Sequence, residues 1–188
     1  FYQTYQADYL RDHLSQHRNA RLIYFSNPLP DLNDLDIVWI KESDRRLSSQ
    51  EIQNLRAWVN AGGQLFLEGS SRVASILDPA WGFQFIQFSN TTTSTYTREF
   101  ATHQINDRVD QLFVWSSKDY LQINGNGIPL AFFDPDFGPG REPTCAALTL
   151  PSNGKVFVST CIMTDNTPYQ NGREMPNNVF SWLADRVD

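Results

Sequence analysis

The chain has 188 residues, 40% apolar and 13% aromatic. That is enough for one domain, residues 1–188, to bury roughly 70% of its unfolded surface without disulfide or metal staples. The formal charge is −6, from 15 basic and 21 acidic residues, and no basic run is longer than Arg45-Arg46, which argues against nucleic acid and anionic membranes as partners.

No apolar run approaches the roughly 18 residues of a membrane span, so membrane insertion is not expected. The first residue is Phe rather than Met, from which we expect a processed protein or a piece of a longer one; the sequence assigns no compartment. In chain order, 1–4 reads as the end of a strand. Tyr5, Tyr9, Leu10 and Leu14 give a helix over 5–18 with one apolar edge. Arg21 to Phe25 is a strand, ended by Ser26-Asn27-Pro28. Asp36 to Ile40 is a continuous apolar run suited to a strand covered on both faces. A helix follows, opened by a capping box of Ser48 and Glu51, with Ile52, Leu55, Trp58 and Val59 as its apolar stripe. Ala61-Gly62-Gly63 stops it, and Gln64 to Leu67 is the next apolar run. The expectation is a βαβ unit.

Beyond it, Glu68-Gly69-Ser70-Ser71 leads to a short helix over Arg72 to Leu77, stopped by Asp78-Pro79. Phe83 to Phe88 partly alternates like a strand. Ser89 to Thr97 is nearly all hydroxyl residues, a loop or an edge strand. His103 to Asn106 precedes a helical turn expected through Val109 and Leu112. The last third is β-rich: Phe113 to Trp115, Tyr120 to Ile123, Ile128 to Phe133, Cys145 to Leu150 and Lys155 to Cys161. A hairpin turn at Pro151 to Gly154 brings Cys145 and Cys161 near each other; whether they are free or bridged depends on register. Asn177 to Val187 reads as a closing helix with Val179, Phe180, Trp182, Leu183 and Val187 buried.

Asp36 to Ile40, then Leu47-Ser48-Ser49-Gln50-Glu51, then Leu55 to Leu67 (LRAWVNAGGQLFL), resembles the strand, L-S-x-x-E helix, A-G-G, strand core of class I glutamine amidotransferase-like domains. Thr102 to Ile105 lies where the non-amidotransferase, ThuA-like branch carries H-P-[IV], with Gln104 in place of the proline. Asn153 to Thr160, Asp165, and Asn178 to Leu183 are similar to that branch's closing elements. The resemblance implies an α/β, flavodoxin-like three-layer sandwich with a mostly parallel central sheet, carrying the β-rich C-terminal third. It does not imply the family's chemistry. The amidotransferase elbow G-x-C-x-G here reads Gly69-Ser70-Ser71-Arg72-Val73, without cysteine. The only histidines are His13, His17 and His103, none in the closing third where the family's catalytic histidine falls.

In an open α/β sheet, ligands bind outside the carboxyl ends of the strands. Those ends carry Glu42, Glu68, Ser70 and Asp165, which with His103 form the expected ligand-binding set. Glu68 with Glu42 suggests acid/base chemistry such as glycoside hydrolysis. Ser71 takes the position of a hydrolase-elbow serine, with a helix N-cap as its plainer role. Glu68, Ser71 and His103 are thus the catalytic candidates. Asp134 to Glu142 holds three carboxylates, but its calcium frame is broken at Gly138. With no zinc spacing, phosphate loop or dinucleotide fingerprint, no cofactor or metal is expected. The first expectation is a catalytically degenerate amidotransferase-like domain, leaning non-enzymatic, that binds a small molecule or protein partner within a larger protein or assembly. The rivals are a hydrolase acting on a sugar-related substrate and a purely structural module.

Overall fold

The computed structural model describes residues 29–41, 47–69, 71–87, 95–114, 119–133, 141–161, 163 and 174–185. The strands expected over 1–4 and 21–25 and the helix over 5–18 fall outside them. The central βαβ unit forms as its local signals dictate. Strand β1 (Ile37–Lys41) and strand β2 (Gln64–Glu68) run parallel, in register from Ile37 opposite Gln64 to Lys41 opposite Glu68. Between them, helix α1 (Ser49–Asn60) opens on the capping box: Ser48 N donates to Glu51 Oε2 at 2.8 Å, and Glu51 N donates to Ser48 Oγ at 3.2 Å. Two of the helix's orphan donors are satisfied by this exchange. The other carboxylate oxygen of Glu51 accepts from Leu29 N at 3.0 Å, pinning the incoming chain to the helix. The exit needs its glycines. Gly62 takes φ +115°, and a Cβ on Gly63 would come within 2.3 Å of the Trp58 ring, so the turn from α1 into β2 is closed to larger residues.

The remaining strands are β3 (Phe83–Ile86), β4 (Thr95–Thr97), β5 (Glu99–Phe100), β6 (Leu112–Val114), β7 (Tyr120–Ile123), β8 (Ile128–Phe132), β9 (Pro143–Thr149) and β10 (Lys155–Ser159). Of the ten strands among the described residues, six form one sheet in the order β1-β2-β10-β9-β8-β5. Its β1-β2 and β2-β10 ladders are parallel, while β10-β9, β9-β8 and β8-β5 are antiparallel. Two ribbons, β3-β7 and β4-β6, stand apart from it.

This corrects the expected flavodoxin-like sandwich with a mostly parallel sheet. The sheet is mixed, and among the described residues only two α-helices accompany it, α1 and the closing α2 (Glu174–Ala184). The physical reason lies in the connections. A parallel neighbour needs a long crossover, whereas a short turn can only return the chain antiparallel. After β2 the chain makes the 3-10 turns Ser71–Ile76 and Pro79–Trp81, the first replacing the short helix expected there. It enters the ribbon strand β3 without a second βαβ crossover. Later, the turn at 150–154 folds β10 back against β9 in register from Lys155 opposite Thr149 to Ser159 opposite Cys145.

Strand alternation sorts the core to the two sheet faces. Phe66, Phe157, Cys145 and Ala147 pack with Val179, Phe180 and Leu183 of α2. Leu65, Leu67, Val156, Val158, Ala146 and Leu148 pack with Leu55 and Val59 of α1 and with Trp81, Phe83 and Leu121. No helix among the described residues is long and apolar enough to cross a membrane.

Candidate functional site

Glu68 ends β2, on the same face as Phe66, and its side chain is fully buried. Trp39, from the neighbouring strand, lies over this face, stacked on Phe66 at 5.9 Å and edge-on to Phe180 at 5.8 Å. Its indole Nε1 donates to Glu68 Oε1 at 3.0 Å. A buried carboxylate is costly unless donors compensate it, and Trp39 supplies one. Beside Glu68 in register is Ser159 at the end of β10. Its hydroxyl accepts from Cys161 N at 3.2 Å and donates to Cys161 O at 2.8 Å, which fixes the bend where β10 leaves the sheet. Cys145 and Cys161 are both buried and free. Its hydrogen bond with Cys145, burial and the nearby Glu68 charge hold the Cys161 thiol well above the usual range, as low dielectric and a like charge require.

The chain leaves β2 through Gly69 and the 3-10 turn Ser71–Ile76. Gly69, at φ +138°, donates its N–H to Ser159 O at 3.1 Å and so continues the β2-β10 ladder. Ser71 opens the 3-10 turn, and Ser70 lies outside the described residues, as do Glu42 and Asp165.

His103 belongs to a different part of the molecule. It is the N-cap of the 3-10 turn Gln104–Asn106, its Nδ1 accepting from Ile105 N at 3.2 Å. Desolvation by burial lowers its pKa from 6.5, so at neutral pH the imidazole is neutral with its proton on Nε2. The helical turn expected after it, through Val109 and Leu112, does not form, because Leu112 already belongs to β6. Asn106 Nδ2 ties the turn to Leu130 O of β8 at 2.9 Å, and β8 lies three strands from β2 in the sheet order, about 14 Å away at the usual strand spacing. The His103 ring is edge-on to Trp182 at 6.1 Å. The Trp182 carbonyl accepts from Lys155 Nζ at 2.6 Å, and the Asp185 carbonyl accepts from the same ammonium. Lys155 begins β10, whereas Ser159 and Glu68 stand at its far end, about 13 Å further along. Glu68 and His103 therefore mark two separate regions.

Next to His103, the 3-10 turn and α2 enclose a cleft of about 390 Å³ lined by Gln104, Asn178, Ser181, Trp182, Ala184 and Asp185. Asn178 Nδ2 donates to Ile105 O at 3.1 Å and Asp107 O at 2.8 Å, holding the cleft's two walls together. Lys155 caps the C-terminus of α2 through the Trp182 and Asp185 carbonyls, since a cation at a helix C-terminus compensates the helix's orphan carbonyls. Burial lowers the Lys155 pKa against the opposing pull of Asp185. Among the described residues no three His, Cys, Asp or Glu side chains gather as a metal cage.

Sequence reading missed Trp39 as the partner of Glu68 and missed the cleft on α2. The one available signal was Lys155, a lone cation at the head of the otherwise apolar run Val156-Phe157-Val158. A lysine there is buried only if something caps it, and the helix end does.

No family model matches the chain, and no curated protein matches it. Among solved structures, the mmIFT52 N-terminal domain is similar at a TM-score of 0.71 and 13% identity, covering 96% of this chain and 91% of that one. The exo-beta-1,4-mannosidase Op5Man5 from Opitutaceae bacterium strain TAV5 is similar at 0.54 and 16% identity over 86% of this chain, but over only 27% of its own length. The cytoplasmic protein STM3548 from Salmonella typhimurium matches at 0.55 and 10% identity, covering 85% of this chain and 76% of that one. At these identities the likeness is one of fold.

Proposed function

We propose that the chain is a catalytically degenerate domain of the class I glutamine amidotransferase-like type, serving as a binding module for a small polar molecule or a protein segment within a larger protein or assembly. The observation that carries this reading is the division of the candidate residues: Glu68 is buried on Trp39 at one rim, and His103 caps a turn beside α2 at the other. General acid/base or nucleophilic catalysis needs its groups within hydrogen-bond reach of one reacting centre, and these two do not meet. A second support is the likeness to the mmIFT52 N-terminal domain, by its name one domain of a longer protein. The cleft between Gln104 and Asp185 is the binding surface in this reading, its amide, hydroxyl and carboxylate groups suited to a polar ligand or a peptide segment.

The likeness to part of a β-1,4-mannosidase favours one rival, sugar hydrolysis, in which Glu68 would be the acid. Its full burial counts against that role. Both enzymatic readings are tested by one experiment: purified chain, Glu68→Gln and His103→Asn are assayed for ammonia release from glutamine and for release of p-nitrophenol from its β-mannoside. The binding-module reading expects all three proteins to match buffer. Turnover that disappears in either variant would overturn it.

A further inference from the structure

We propose that Cys145, Cys161 and Met163 form a buried site for a single copper(I) ion. The three residues belong to one buried cluster on the α2 face of the sheet. Cys145 on β9 is opposite Ser159 on β10, and Cys161 is two residues further on, so the thiols are diagonal neighbours on the same side. Ser159 Oγ sits between them, 3.2 Å from Cys161 Sγ and 3.5 Å from Cys145 Sγ. Met163 Sδ lies 3.9 Å from Cys145 Sγ. All three sulfur residues are at most 1% exposed.

The spacing suits an ion. Three sulfurs bound in a plane at about 2.3 Å from a metal lie about 4 Å from one another, close to the Cys145–Met163 separation. Both cysteines are free.

Ligand chemistry selects the ion. Two thiolates and a thioether are soft donors that favour copper(I), whereas zinc sites take four ligands from thiolate, imidazole and carboxylate. Among the described residues no group of three or more His, Cys, Asp or Glu side chains gathers to hold a hard cation. Binding exchanges two thiol protons, released to solvent, for one monovalent cation, and the metal keeps its oxidation state. The resulting complex carries one negative charge beside Glu68, so the hydroxyls of Ser159 and Thr144, which donate to Cys161 O and Ala131 O in the metal-free chain, have to turn to the sulfurs when the ion binds. The position at the end of β10, where the sheet gives way to a bend, places the site at the rim rather than the centre of the core.

The test is an anaerobic titration of the intact chain with copper(I) in competition with bicinchoninate. One ion per chain should transfer from the chelator. Cys145→Ser/Cys161→Ser should abolish the transfer, and the volume-conserving Met163→Leu should weaken binding roughly tenfold or more. Absence of transfer to the unmodified chain, or affinity unchanged in Met163→Leu, would overturn the proposal. Should the double variant fail to fold, copper-edge X-ray absorption of the loaded unmodified protein decides: a shell of three sulfurs supports the site, and a nitrogen- or oxygen-dominated shell refutes it. Zinc(II) displacing copper(I) at equal concentration would also refute the soft-donor assignment.

Discussion

His103 illustrates how one side chain's surroundings set what it does. Its Nδ1 is committed as the acceptor that caps the Gln104–Asn106 turn, and burial lowers its pKa from 6.5. The folded state therefore binds fewer protons here than the unfolded state. This residue's contribution to stability is complete above pH 6.5 and is lost as pH falls from 6.5 through the depressed folded value. His103→Asn keeps a capping oxygen and cannot titrate. Urea unfolding from pH 8 to pH 5 should show the unmodified chain losing stability relative to the variant over that interval. Parallel curves would show that His103 is not buried as described. None of this was legible beforehand. The sequence marks His103 as one histidine in a loop, and burial against Trp182 is contributed by a helix some eighty positions later. Glu68 was legible as a strand-end carboxylate, but its partner Trp39 read only as an apolar strand residue, because the indole N–H matters only once β1 and β2 are paired.

At the scale of elements, what is encoded within a few residues was legible and what depends on pairing was not. Ser48, Glu51, Gly62 and Gly63 act on their immediate neighbours, and α1 and its flanking parallel strands form where those residues place them. The direction of the later strands depends on which earlier strand each one meets. The insertion of β10 between β2 and β9 is decided by contacts about ninety positions apart, so the mixed character of the sheet is not written in any local pattern. The turn after β2 shows the same limit. Its 3-10 form is held from outside by Arg56 of α1, whose Nε donates to Ile76 O at 3.0 Å and whose Nη2 donates to Ser75 O and Leu77 O at 2.8 and 2.5 Å. Arg56→Ala leaves three carbonyls short of a donor and should cost about 1–3 kcal/mol. Arg56→Lys, which keeps the charge but not the fork, should recover only part of it. Urea midpoints at constant m-value measure both. A change below about 0.5 kcal/mol in the alanine variant would mean that the turn holds itself.

For the molecule as a whole, the sheet keeps two polar regions apart. At the carboxyl end of β2 and β10, buried Glu68, Ser159 and the two thiols lie together, with half-buried Trp39 on Glu68. At the opposite end of β10, Lys155, Trp182 and His103 gather under the C-terminus of α2. An enzyme of the kind the elbow resembles would bring a strand-end group and a histidine together; here β10 and β9 stand between them. That separation is the central claim, and a double-mutant cycle on folding stability tests it directly. Glu68→Gln and His103→Asn are measured singly and together by urea unfolding at pH 7. Residues with no shared partner more than about 7–10 Å apart add within about 0.5 kcal/mol, and additivity of that quality is the predicted result. A coupling above about 1 kcal/mol would put the two residues in one constellation and contradict the account.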